Sequence, residues 1–262
     1  MARIHPTAVI DPRARLGEDV EIGAFVVIEG EVEVGPRCVV GPFTRIEGPT
    51  SVGEETIFVS HCSIGAPPQD WSYKGDPTRL EIGARNTFRE FVTVHRGTVK
   101  GGGVTRIGSD GLFMAYSHIA HDCQVGDHVL FANNGTLAGH VVVGNRAAVG
   151  ALSAVHQFCR VGEYAYIGGG TIATKDCLPF MRTVGSRPAR CFGPNTVGLE
   201  RQGFSEERRR AIKAAWRLLH RPDLTTSEAV AQIEAQLADS ADARLLVDFI
   251  RSSTRGVILA AG

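Results

Sequence analysis

The 262-residue chain has no net charge to spend on long-range attraction: 28 Lys and Arg balance 28 Asp and Glu. No global field draws it to nucleic acid or to a membrane surface, so any such attraction must be local. It lacks an apolar run of about 18 residues, so no membrane-spanning segment is expected. Its first residues, MARIHPTAVIDP, contain no apolar stretch of the kind a secretory leader needs, and none is expected there. The six cysteines (Cys38, Cys62, Cys123, Cys159, Cys177, Cys191) show neither CxxC nor zinc-knuckle spacing. Reduced thiols in a cytoplasmic protein, several of them filling core positions, are the expectation.

What the chain does have is glycine, 31 residues of it, and a repeat. Counted in steps of six from Ile10, the positions are Ile10, Leu16, Ile22, Ile28, Val34, Val40, Ile46, Val52, Phe58 and Ile64. All are apolar, and all but Leu16 and Phe58 are β-branched. The step breaks over Ala66 to Arg79, resumes at Ile82, Phe88 and Val94, and breaks again over the glycine-rich stretch from Arg96 to Gly103. From Ile107 it runs on through Phe113, Ile119, Val125, Phe131, Leu137, Val143, Val149, Val155, Val161, Ile167 and Ala173. A period of six is neither the helical 3.6 nor strict alternation. It suits a short strand, a turn, and a new strand on the next face. Three hexads then close a coil of about 18 residues, and coils stack at the usual strand spacing of about 4.8 Å. The fold class is therefore all-β plus a small α domain: a parallel β-helix over 1–190, with loops at about 66–79 and 96–103, and a helical domain over 191–262.

The six-step fails after about Thr174, and a Pro- and Gly-containing connector follows, from Leu178 to Pro194. Ser205 then caps a helix with Glu206 and Glu207 in its first turn. Ile212, Ala215, Trp216 and Leu219 form its apolar stripe. Thr225 with Glu228 resembles a capping box ahead of a second helix holding Val230, Ile233 and Leu237. A third runs from about Asp242 to Arg251. Residues 201–221 hold seven Arg and Lys against Glu206 and Glu207, a local net of +5 (7 − 2). That is either a solvated helix face or a docking patch for an acidic partner.

The repeat also gives the histidines coordinates. Ile119, Leu137 and Val155 are 18 apart, so they share a face. Val94 joins that face one coil below once the second interruption is looped out. His95 and His156 each follow an inward residue directly, His121 follows Ile119 by two, His140 follows Leu137 by three, and His118 precedes Ile119. These five histidines line one side of the prism within about 15 Å of height. A histidine poised near neutral pH is the usual base for activating a hydroxyl, and His121 is the candidate. Asp122 is the candidate carboxylate to orient it, although neighbours in a strand point to opposite faces, so the sequence leaves that contact open. Gly139 has no side chain, and its N–H could approach an oxyanion.

Several stretches on this frame resemble the UDP-N-acetylglucosamine O-acyltransferase family, which opens lipid A biosynthesis within the hexapeptide-repeat acyltransferase superfamily. They are Gln69-Asp70, GDPTR (Gly75 to Arg79), VHRG (Val94 to Gly97), VKGGG (Val99 to Gly103), HIAHDC (His118 to Cys123), LAGH (Leu137 to His140), VHQFC (Val155 to Cys159) and STRG (Ser253 to Gly256). The resemblance implies a left-handed β-helix, whereas parallel crossovers are otherwise right-handed. It implies transfer of an (R)-3-hydroxyacyl group from acyl carrier protein to the 3-hydroxyl of UDP-N-acetylglucosamine, with no metal or organic cofactor. His121 matches the general base, and Gly139 the amide that stabilises the oxyanion. Asp70, His95, His118, His140, His156, Gln157, Asn195 and Arg201 match substrate-binding positions. Gly169 matches the position that limits acyl length, and a glycine there leaves room for a longer chain. The family is cytoplasmic and homotrimeric, with active sites between subunits. No nucleic-acid partner and no integral membrane segment are implied. The acidic carrier protein would dock on the basic residues of 201–221.

Two positions depart from the family: Ser72 stands where a lysine is frequent, with Lys74 nearby, and Gln202 where a second arginine is frequent. Three other readings compete. A later N-acyltransferase of the same pathway would carry an extra N-terminal domain. A γ-class carbonic anhydrase would need three histidines on one metal. A non-enzymatic β-helical scaffold would need no base at residue 121.

Overall fold

The computed structural model describes residues 2–259; Met1 and residues 260–262, the outermost of the two expected units, lie outside the described residues. The hexads form short strands, most of two residues, that make three sheets of eleven, nine and eight strands. Successive strands of the chain go to successive sheets, so each sheet takes every third strand. The result is a three-sided parallel β-helix. Ile119 lies opposite Leu137, and Leu137 opposite Val155, on the second sheet. Both interruptions are looped out without loss of phase, because Ile64 pairs with Val94 and Val94 with Ile119. The disturbance on that sheet is a bulge that sets Ala66 opposite His95.

The step-six residues point inward and stack on their own kind. Phe58, Phe88, Phe113 and Phe131 are fully buried, with successive ring centroids 5.0, 4.6 and 5.3 Å apart. Burying one such ring contributes about 1.5–3 kcal/mol, and the same contact recurs coil after coil. At the open N-terminal end Ile10 and Leu16 are only partly buried, since fewer coils cover them.

Corners follow one backbone recipe. Three residues after an inward residue the chain takes a left-handed conformation, as at Asp122, His140 and Phe158 with φ of 61°, 63° and 64°. This corner joins the second sheet to the third. It sets the residues two after the inward position in a vertical row: His121, Gly139, Gln157 and Lys175.

The connector carries two strands that the six-step does not mark. Met181–Val184 extends the first sheet beside Tyr166–Ile167, and Arg190–Pro194 pairs back on it antiparallel. Four helices follow: α1 (Thr196–Arg201), α2 (Glu206–Leu219), α3 (Thr226–Gln236) and α4 (Ala241–Arg251). Ser205 caps α2, and Thr225 with Glu228 forms a reciprocal capping box on α3. The helices share a second core with Leu178, Phe180, Met181 and Cys191. Beyond α4 the chain returns to the β-helix. Ile258 enters the first core, Asp176 donates its amide to Gly256 O at 2.9 Å, and Ile258 donates to Asp176 O at 2.8 Å. Arg160 clamps this junction, with Nε 2.9 Å from the buried Asp176 carboxylate and its guanidinium over the Phe249 ring. No helix among the described residues is long and apolar enough to cross a membrane.

Candidate active site

The corner after Ile119 is a turn, not a strand, and this settles which way His121 and Asp122 face. The left-handed backbone at Asp122 folds its carboxylate back toward its neighbour. His121 Nδ1 lies 2.7 Å from Asp122 Oδ2. The carboxylate is fully buried, while the imidazole keeps 14% of its surface exposed. Thr98 holds the other side of the carboxylate, donating its amide to Oδ1 at 2.8 Å and its hydroxyl to Oδ2 at 2.7 Å. The Asp122 amide donates to Thr105 Oγ1 at 2.8 Å. Burial pushes the Asp122 carboxyl up, but the hydrogen bonds from His121 and Thr98 outweigh it and leave it below the usual carboxylate range. A buried carboxylate with charge-assisted donors on both oxygens is a rigid anion that His121 can lean on.

One coil on, Gly139 sits against the His121 ring. A Cβ there would lie 2.5 Å from His121 Cε1 and 2.8 Å from Nε2, so only glycine admits the imidazole in this pose. Among the described residues no acceptor takes the Gly139 amide, while the next amide, of His140, donates to His121 O at 3.0 Å. His140 Nε2 stands 3.7 Å from Asp122 Oδ2, and its ring stacks on Phe158 at 4.4 Å. Burial first, and then the charge of His121, hold His140 below the ordinary histidine range against the opposing pull of Asp122.

Below His121, His118 Nδ1 bonds Thr93 Oγ1 at 2.7 Å and meets His95 edge-on at 4.9 Å. His95 is buried with an unpartnered Nδ1. Burial, with the charges of His118 and His121, pushes it down to about 4. His118 is lowered for the same two kinds of reason. The first interruption brings Asp70 over this strip, close enough for its charge to act on His140 and for that of His121 to act on it. Asp70 Oδ1 accepts the Ser72 amide at 2.7 Å, which is the chief reason its carboxyl lies low. Arg96 pins the loop, bonding the Tyr73 hydroxyl at 3.0 Å and Gly65 O at 2.8 Å.

Two coils above His121 come His156 and Gln157. Gly169 is at the other edge of the second sheet, exposed, with Ala151 O 3.3 Å from where its Cβ would be. Asn195 and Arg201 are elsewhere. Asn195 caps α1, and both line a cleft of about 780 Å³ on the first sheet, with Arg182, Tyr166 and Trp216. That cleft shares no residue with the histidine strip. Three residues in contact with the strip escaped the sequence reading: Thr98 and Gly101 in the second interruption, and Arg255 beyond α4. All three fall in or beside the stretches VKGGG and STRG, which was the available signal.

Among the described residues, His121, Asp122 and His140 are the one group of three that could hold a metal, their ligand atoms lying within 4.8 Å of one another. Among the described residues three histidines do not come together in this way.

Known proteins resemble the chain over nearly its whole length. The family model described as UDP N-acetylglucosamine O-acyltransferase, domain 2, matches residues 176–258. The acyl-(acyl-carrier-protein)–UDP-N-acetylglucosamine O-acyltransferase of Stenotrophomonas maltophilia is 50% identical over 256 residues, which is 98% of this chain and 97% of that protein. Its counterpart from Thiobacillus denitrificans is 51% identical over 258 residues, 98% of this chain and 100% of the other. Among solved structures, the UDP-N-acetylglucosamine acyltransferase of Francisella novicida superposes with a TM-score of 0.95 at 34% identity, covering 99% of this chain and 95% of its own. The O-acyltransferase of Moraxella catarrhalis gives 0.94 at 38% identity, covering 97% and 99%.

Proposed function

The chain belongs to the UDP-N-acetylglucosamine O-acyltransferase family, and from that premise we propose how its own residues carry the transfer. It is an acyltransferase acting with acyl-(acyl-carrier-protein) and UDP-N-acetylglucosamine. An (R)-3-hydroxyacyl group leaves the carrier thioester for the sugar 3-hydroxyl. His121 Nε2 takes the hydroxyl proton as that oxygen attacks the thioester carbon. Asp122 accepts the Nδ1–H, which leaves Nε2 free as the base and stabilises the imidazolium that forms. The Gly139 N–H meets the developing oxyanion. Collapse breaks the C–S bond, and His121 returns the proton to the departing sulfur, so the ester forms with no net change in the enzyme.

Asp70, His95, His118, His140, His156 and Gln157 hold the substrates along the strip. Asn195 and Arg201 reach them from a neighbouring subunit of a homotrimer. Their position in a cleft that shares no residue with the strip supports this. Gly169 leaves space for a long acyl chain. We assign chemistry to the β-helical part, to about residue 190, and partner contacts to the helical part beyond it. In residues 201–221, Arg208, Arg209, Arg210 and Arg221 already face carboxylates of their own chain, so carrier docking falls to Arg201, Lys213 and Arg217. Six unpaired, buried cysteines fit the cytoplasm.

The observation that carries the mechanism is the 2.7 Å bond from His121 to Asp122 beside the unengaged Gly139 amide. The test is incubation with UDP-N-acetylglucosamine and a series of hydroxyacyl carrier proteins, read by mass spectrometry. His121→Ala should lose about 10²- to 10⁴-fold in kcat. Wild-type protein that forms no O-acyl product, or a variant that keeps full activity, counts against the assignment.

A further inference from the structure

The chain beyond α4 places a cation on the histidine strip. On one side of Arg255, Ser253 Oγ donates to Asp176 Oδ2 at 2.8 Å. On the other, Gly256 and Ile258 bond the Asp176 backbone. The segment is thus fixed on both flanks, and Arg255, though exposed, is carried on an anchored backbone. Its guanidinium NH2 lies 3.3 Å from His156 Nδ1. His156 Nδ1 also lies 3.2 Å from Gln157 O. A guanidinium only donates and a carbonyl only accepts, so the two compete for Nδ1, and the Gln157 carbonyl is the nearer partner. Lys175 stands in the vertical row above Gln157, and its Cδ is 3.9 Å from the position of a Cβ on Gly256. The nearest carboxylate in sequence, Asp176, is taken by Arg160 and Ser253. Among the described residues neither Arg255 nor Lys175 has a carboxylate partner. Arg255 beside His156, and Lys175 beside the Gly256 backbone, therefore bring two cationic side chains to one corner without a carboxylate of their own.

We propose that Arg255, with Lys175 and His156, is a phosphate seat for one of the two substrates. The inference rests on the transferase reading above. Donor-only groups of this kind are the chemistry of phosphate recognition. The seat is two coils above His121, about 10 Å away. A phosphate bonded into either reactant spans that distance: the diphosphate of the sugar nucleotide, or the phosphodiester of the carrier's prosthetic arm.

Steady-state kinetics on the full-length protein, varying each substrate in turn, tests this. Arg255→Ala should raise KM for one substrate by about tenfold or more with kcat within about threefold, and Arg255→Lys should recover part of the loss. A rise confined to the sugar nucleotide identifies the diphosphate; one confined to the acyl carrier identifies the phosphodiester. Both KM values within about twofold of wild type overturn the proposal. Calorimetric titration of wild type and variant with inorganic pyrophosphate separates the seat from the reaction. If the wild-type protein transfers no acyl group, the transferase reading fails, and pyrophosphate binding that disappears in Arg255→Ala still upholds the seat. Equal binding by both overturns it. Should Arg255→Ala fail to fold, Arg255→Gln, which keeps a donor toward His156 but not the charge, is read in the same way.

Discussion

Gly101, in the second interruption, lies directly against the carboxyl group of Asp122: a Cβ on the glycine would fall on the carboxyl carbon and both of its oxygens. The interruption is therefore part of the active corner. Its single 3-10 turn, Val99–Gly101, is capped by Thr98, the residue that also donates twice to Asp122. One short loop supplies both the hydrogen bonds that hold the carboxylate and the space in which it sits.

Gly101→Ala should consequently injure catalysis more than stability. The new methyl group must displace Asp122 or the turn, and either motion loosens the hold on His121. A fall in kcat of about tenfold or more is expected, with the thermal unfolding midpoint lowered by only a few degrees. Kinetics and a thermal melt on the same preparation decide it: unchanged kcat would show that the hold on His121 does not depend on the packing of this turn against Asp122.

Gly139 makes the complementary case from the coil above. Its Cβ would meet the ring proposed as the base, 2.8 Å from Nε2, so Gly139→Ala should displace the imidazole and leave the amide proposed for the oxyanion in place. Losses of about 10²-fold in kcat are expected, with KM values little changed because the binding residues are untouched. A variant in which KM rises and kcat holds would assign Gly139 to binding.

Much of this was legible in the chain. The six-step marked the inward residues, because in a β-helix every coil repeats the same local problem and every inward position needs an apolar side chain. It also placed five histidines along one side of the prism, since phase alone decides the face. The Met181–Val184 and Arg190–Pro194 strands were not legible. They belong to no hexad, and their pairing is antiparallel and depends on tertiary contact with Tyr166–Ile167. The bond between His121 and Asp122 was open for a different reason. It hangs on a left-handed backbone at Asp122 that a corner imposes and that residue type does not announce. Arg255 lies 99 residues from His156, and only the return of the tail to Asp176 brings the two together.

The buried histidines make stability depend on pH in a stated direction. Burial pushes His95 down from 6.5 to about 4, so the folded protein keeps it neutral where the unfolded chain takes up a proton. Between those two values unfolding binds protons, and stability falls as the pH is lowered. Above about 6.5 both states are neutral and the contribution is flat. His118 and His140 are lowered as well, which steepens the fall. Urea unfolding at pH 4.5 and 7.5 should show a smaller difference for His95→Asn than for wild type, by about 2 kcal/mol. Equal differences would mean that water or a relaxed pocket solvates the charged ring.

Salt should act on one substrate more than on the other. Lys213 and Arg217 are exposed and four residues apart on α2, so they present their charges side by side. Neither is neutralised by its own chain among the described residues, unlike Arg208, whose guanidinium is locked on Asp242 at 2.7 Å. An acidic carrier protein approaching this face is steered by unscreened charge, and at about 0.15 M salt the screening length is already near 8 Å. Raising ionic strength should therefore raise KM for the acyl carrier several-fold more than KM for UDP-N-acetylglucosamine. Lys213→Glu with Arg217→Glu should mimic high salt at low salt and flatten the remaining dependence. If the double variant keeps the wild-type salt slope, the carrier docks elsewhere, and Lys213 and Arg217 take no part in steering it, while Arg208, Arg209, Arg210 and Arg221 serve the fold through the pairs they make.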